Sequence, residues 1–143
     1  GYEDTLRTNG IAIDPAIMRT GEMTEDFGFQ STREMLALDH RPTAIMTASM
    51  ISALGVRRAI EDAGLVMGRD VSVVTHDDAL SYLRNGGDVP IFTATRSSVR
   101  EAGRRLAEML LSEISEPSET PPNQLLEAEL MVGLSTGPAP KDI

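Results

Sequence analysis

The chain has 143 residues, enough for one domain with a core, and 41% of them are hydrophobic but only 3% aromatic, so that core must be aliphatic. Thirteen basic residues against 22 acidic ones give a formal net charge of -9 with no basic stripe, so the chain by itself is not expected to bind DNA. There is no cysteine, hence no disulfide and no thiolate ligand or nucleophile, and neither a membrane-length apolar run nor a signal-peptide pattern is visible.

The opening, GYEDTLRTNGI, reads as the middle of a helix stopped at Gly10, as though an upstream part were not represented. Ile11 to Thr20 is a short apolar stretch with Asp14-Pro15 as a turn. Thr24 and the acids that follow it predict a helix to Leu38, with Phe29, Met35, Leu36 and Leu38 on its buried face. Thr43 to Ala48 reads as a buried strand. Ser49 then caps a helix that buries Ile51, Leu54, Ala59, Ile60 and Ala63, with Arg57–Glu61 and Arg58–Asp62 pairing on its wet side and Gly64 ending it.

A second strand runs from Val71 to Thr75 and gives way to His76-Asp77-Asp78 and an irregular loop holding Asn85-Gly86-Gly87. Phe92 to Thr95 is a third strand. Ser97 or Ser98 caps a long helix with Val99, Ala102, Leu106, Met109, Leu110 and Ile114 facing inward. Pro117 to Pro122 is a loop, Leu125 to Leu134 is strand-like, and Gly-Pro-Ala-Pro is a loose tail. Strands alternating with helices predict an α/β fold with a mainly parallel sheet, in which ligands sit outside the carboxyl ends of the strands. Two such ends, Thr47-Ala48-Ser49 and Thr75-His76-Asp77-Asp78, carry polar residues toward one crevice.

His76-Asp77-Asp78 admits several readings. Successive side chains on an extended strand diverge, which argues against a paired-carboxylate glycosidase. A metal needs three or more converging ligands, and His40 is the one other histidine, so no metal site is expected. No G-x-S-x-G, H-E-x-x-H or Walker loop is present, so no catalytic residue and no cofactor is assigned. A solvated turn is one alternative; an aspartate that accepts two hydrogen bonds from adjacent sugar hydroxyls is another.

The order strand, polar end, helix in RPTAIMTASMISALGVRRAIEDAGLVMGRDVSVVTHDD, followed by PIFTATRSSVREAGRRLAEMLL and QLLEAELMVGLSTGPAP, resembles the LacI/GalR family of bacterial transcription regulators from about Gly1 to Pro140. The resemblance implies the C-terminal part of a bilobed, periplasmic-binding-protein-like (type I) effector domain. Residues 1–96 would be the C-terminal lobe, 97–130 a segment of the N-terminal lobe, and 131–143 a return strand and tail. The DNA-binding headpiece would be absent. The same resemblance implies effector contacts at Asp77, Met23, Ser49, Ser97 and Arg96, with Asp78 structural. An arginine that clamps the ligand in the family would lie just before Gly1.

Three departures stand out. Met23 occupies the position of an aromatic stacking residue, Ser49-Met50 that of Asn-Asp, and His76 that of an aromatic or apolar residue. A homodimer is implied through Leu54, Leu80, Tyr82 and Leu83. The implied function is allosteric: a small effector, a sugar, closes the lobes and alters operator affinity in a cytoplasmic repressor. The rivals are an exported periplasmic sugar-binding protein of the same fold and a small α/β enzyme using the His-Asp-Asp turn.

Overall fold

The computed structural model describes residues 1–77, 84–120 and 122–140. A short exposed helix α1 (Tyr2–Thr8) is followed by a 3-10 turn at Pro15–Ile17, which Asp14 caps through the Ala16 amide. Helix α2 (Glu25–Leu36) begins where the Thr24 hydroxyl accepts the Phe27 amide. Strand β1 (Ala44–Met46) leads through Ser49 into helix α3 (Met50–Asp62), and Gly64 leaves α3 with a φ of 73°. Strands β2 (Ser72–Asp77) and β3 (Thr93–Arg96), helix α4 (Val99–Ser115) and strand β4 (Glu129–Met131) complete the chain.

The sheet order is β1-β2-β3-β4, with the first three strands parallel and β4 antiparallel to β3. This is the α/β, mainly parallel architecture expected from the alternation of strands and helices. The core lies between the sheet and α3, with α2 packed on α3; it gathers Met35, Ile45, Val56, Ile60, Val71, Val73 and Phe92. It is aliphatic apart from Phe92, as the composition demands. Two glycines let α2 and α3 approach closely. A Cβ on Gly55 would stand 1.9 Å from the Glu25 carbonyl oxygen, and one on Gly28 would stand 2.3 Å from that of Ser52. The first turn of α2 is therefore set against the first two turns of α3.

Several expectations change. β2 extends through Asp77, so His76 and Asp77 are its last strand residues and not part of a turn. The Leu125–Leu134 segment forms ladder pairs only over Glu129–Met131. Arg57 pairs with Glu61 at 2.7 Å, but Arg58 reaches across to Glu25 at 2.6 Å and covers the Phe29 ring, because α2 lies closer to it than its own helix's solvent side. Ile51 and Ala63 are exposed.

The largest change concerns α4. Its apolar residues were expected to face inward, yet the helix contains no buried residue, and Leu106, Leu110 and Ile114 are exposed. Among the described residues no helix or strand packs extensively against that stripe.

The return segment is docked up to Gly137, the first residue of the Gly-Pro-Ala-Pro stretch expected to be loose. Ser135 is wholly buried; its hydroxyl donates to the Val73 carbonyl and accepts the Thr93 amide at 2.8 Å. Ahead of β3, the buried Asn85 side chain holds both backbone polar groups of Phe92, at 2.7 and 2.8 Å.

Candidate functional site

Because β1, β2 and β3 are parallel, their carboxyl ends share one edge of the sheet, and each ends in polar residues. Side-chain alternation sorts these residues by face. On the helix-covered face, Thr47 follows β1 and Thr75 sits on β2, their hydroxyls 2.8 Å apart. The Thr47 hydroxyl also lies 3.2 Å from the Ser49 carbonyl oxygen. The Ser49 hydroxyl accepts the Ser52 amide at 3.3 Å, capping α3, and is 3.1 Å from the Ser52 hydroxyl. Ser49 is thus a helix cap at the crevice edge, only partly buried.

Asp77 shares that face. It is 3% exposed, and its Oδ2 stands 3.6 Å from Arg96 Nε. That separation is an ion pair and longer than a hydrogen bond. Asp77 and Arg96 are register partners at the ends of β2 and β3, so the pair follows from the strand alignment. The Arg96 side chain is about half exposed and Asp77 is inside, an arrangement in which the carboxylate is held in a dry setting with its partner at the mouth.

His76 points to the opposite face. Its Nδ1 is 3.1 Å from Thr95 Oγ1 and its Nε2 is 3.2 Å from Ser97 Oγ. Ser97 also donates its amide to the Asp77 carbonyl at 3.3 Å. Ser98, not Ser97, caps α4 by accepting the Glu101 amide, which leaves the Ser97 hydroxyl for the imidazole.

Beyond Ser97 a cleft of about 550 Å³ opens between the start of α4 and the approach to β4, lined by Arg96, Ser97, Glu101, Arg105, Leu125 and Glu129. In its wall, Arg104 and Arg105 both hold Glu101, and their hydrogen bonds pull its carboxyl down to about 2. Among the described residues no group of three or more His, Cys, Asp or Glu side chains converges as metal ligands would.

Met23 directly precedes the α2 cap and is 64% exposed. Of the five residues singled out from sequence, Ser49, Asp77, Arg96 and Ser97 thus sit at one end of the sheet, and Asp77, Arg96 and Ser97 are linked directly. Leu54 is half-buried and packs against the core. Leu80, Tyr82 and Leu83, and also Asp78, lie outside the described residues. Sequence reasoning did not single out Thr95, or the pairing of Thr47 with Thr75; period-two alternation through β2 was the available signal for both.

Residues 1–136 match the periplasmic binding protein-like domain family. The HTH-type transcriptional regulator AglR of Rhizobium meliloti (strain 1021) is 40% identical over 141 residues, covering 98% of this chain and 39% of that protein. A solved structure of the Lac repressor bound to ONPG in its repressed state superposes with a TM-score of 0.81 at 32% identity, over 95% of this chain and 40% of that one. The transcriptional regulator CelR in complex with cellobiose gives a TM-score of 0.78 at 29% identity, over 94% of this chain and 40% of that one. The chain therefore spans well under half the length of these relatives, which are transcriptional regulators and not enzymes.

Proposed function

Because the chain belongs to the periplasmic binding protein-like domain family, we propose that it is the effector-sensing part of a LacI-type transcriptional regulator. The observation that carries this reading is the Asp77 carboxylate, buried at the carboxyl end of a parallel strand and paired with Arg96 where the chain leaves the sheet. A buried carboxylate offers lone pairs to adjacent hydroxyls without any bond being broken. Ser97 and Ser49 add hydroxyls at the same edge, and Met23 contributes an adaptable apolar surface in place of a flat ring.

The charge around the crevice favours a neutral polyol over a phosphorylated one. Arg96 faces Asp77 and Arg105 faces Glu101, so both of these guanidiniums already meet a carboxylate. Relatives have been solved with cellobiose and with ONPG, which supports a saccharide as effector.

The bare apolar stripe of α4 supports the assignment of 97–130 to a second lobe whose other elements cover that helix. Residues 1–96, with the return segment from 131, would form the first lobe. Effector binding between the lobes would shift their closure and so change operator affinity. DNA would be held by an N-terminal domain outside this chain, in keeping with the charge of -9. The regulator would act as a cytoplasmic homodimer, with Leu54, Leu80, Tyr82 and Leu83 as candidate contacts.

The test is a thermal-shift screen of the complete protein against cellobiose, ONPG, maltose and ribose, repeated with Asp77→Asn. A ligand that binds only the folded state raises the melting temperature by mass action. The reading expects one or more saccharides to stabilise the parent and not the variant. No shift with any of them, or an equal shift in the variant, would remove Asp77 as the anchor.

A further inference from the structure

We infer that His76 is a positioning residue that fixes one face of the strand exit leading to α4, while Asp77 holds the other face through a contact that an effector can perturb. This rests on reading the sheet edge as the effector site.

The geometry is a grip from two sides. His76 and Asp77 are consecutive on β2, so their side chains leave opposite faces of the sheet. Thr95, Arg96 and Ser97 alternate in the same way at the end of β3. On one face the imidazole spans Thr95 and Ser97, using both ring nitrogens, at 3.1 and 3.2 Å. On the other, Arg96 turns back to the Asp77 carboxylate at 3.6 Å. The Ser97 amide, bonded to the Asp77 carbonyl, closes the ladder between them.

The two sides differ in kind. A neutral imidazole has one donor and one acceptor, and a hydroxyl can take either role, so the His76 side satisfies both ring nitrogens in either tautomer. Engaged at both nitrogens, His76 is neither a free base nor an open metal ligand; it holds. The Arg96 side is a longer charge pair with a half-exposed guanidinium, and a sugar hydroxyl arriving at Asp77 would compete directly with it. The His76 side would then keep its hold on the exit strand while the Arg96 contact on the Asp77 side weakens. His76 does not need to touch the effector to influence how far the strand moves.

The test needs no effector, so it separates this inference from the saccharide reading, which stands or falls on the thermal-shift screen. Amide hydrogen exchange of the complete protein is followed by mass spectrometry for wild type, His76→Phe and His76→Gln. Phenylalanine keeps the bulk of the ring and loses both hydrogen bonds, whereas glutamine retains a donor and an acceptor. The expected result is about tenfold faster exchange at Thr95 to Val99 in His76→Phe, with exchange in α3 and β2 unchanged. His76→Gln should restore the exit to within about threefold of wild type. Unchanged exchange at the exit in His76→Phe would show that the imidazole holds nothing. Equal acceleration across α3 and β2, or a glutamine variant as fast as phenylalanine, would reduce His76 to general packing. Any of these results overturns the inference.

Discussion

Helices α3 and α4 invite comparison. Both are capped by a serine, and both carry an apolar stripe at helical spacing with a glycine within it. In α3 the stripe is buried between the sheet and α2, and Ala53, Val56, Ala59 and Ile60 are almost inaccessible. In α4 the equivalent stripe faces outward. Amphipathic periodicity states that a face is to be covered; it does not state by what. The region of α2, α3 and the sheet supplies its own cover, and the region of α4 and β4 does not.

The two glycines offer the sharpest way to break that comparison. Gly55 has backbone against it, and a methyl group there would have to push α2 away. Gly55→Ala is expected to cost about 3 kcal/mol, the upper part of the range for overpacking, read by urea denaturation. Gly103 in α4 has nothing within 4 Å of a built Cβ. Gly103→Ala on this chain alone should raise helix stability by about 1 kcal/mol, as an exposed helix-interior glycine does, read by circular dichroism. In the complete protein a second lobe covering the stripe would cancel or reverse that gain. If Gly103→Ala stabilises both forms equally, α4 is a solvent-facing helix and the lobe assignment fails.

Ser135 sharpens the comparison from the other side, since it shows how firmly the return segment is tied to the first region. Its hydroxyl satisfies a buried carbonyl on β2 and a buried amide on β3 at once. Ser135→Ala leaves both without their partner and should cost about 2–3 kcal/mol in the same denaturation experiment. A loss of only a few tenths would mean that water replaces the hydroxyl and that the return segment is loosely held.

These contrasts also mark what was legible in the sequence. The β/α alternation, the caps at Thr24 and Ser49, a cap at Ser97 or Ser98, and the polar strand ends were local signals and could be read directly. The docking of Ser135 was not, because its partners Val73 and Thr93 lie 62 and 42 residues away. The contact made possible by Gly28 and Gly55 was also hidden, since a glycine inside a helix pattern is more simply a weak point than a packing device. At the site, residue types and strand ends pointed to the Asp77-Asp78 pair and the family resemblance to Asp77, but the Asp77–Arg96 pair and the His76 bridge depend on the register of β2 against β3. Register is set by the whole sheet and by no single stretch of sequence.

The smallest expected effect concerns the start of α4, where the uncovered region relies on charge in place of burial. Hydrogen bonds from Arg104 and Arg105 hold Glu101 at about 2, below the ordinary glutamate value of about 4.3. The folded carboxyl is the stronger acid, so this contribution is present above about pH 4.3 and fades as pH falls through about 2. Glu101→Gln should flatten that part of the acid titration of helix content, with the wild-type difference shrinking at high salt because the pairs are exposed. A salt-independent difference would mean that Glu101 acts through its place in the first turn and the Ser98 cap, and that the arginine pairs contribute little. Comparing the chain with the complete protein then separates the regions again. Covering α4 with a second lobe removes solvent from these pairs, and the salt sensitivity should fall while the direction of the pH dependence stays the same.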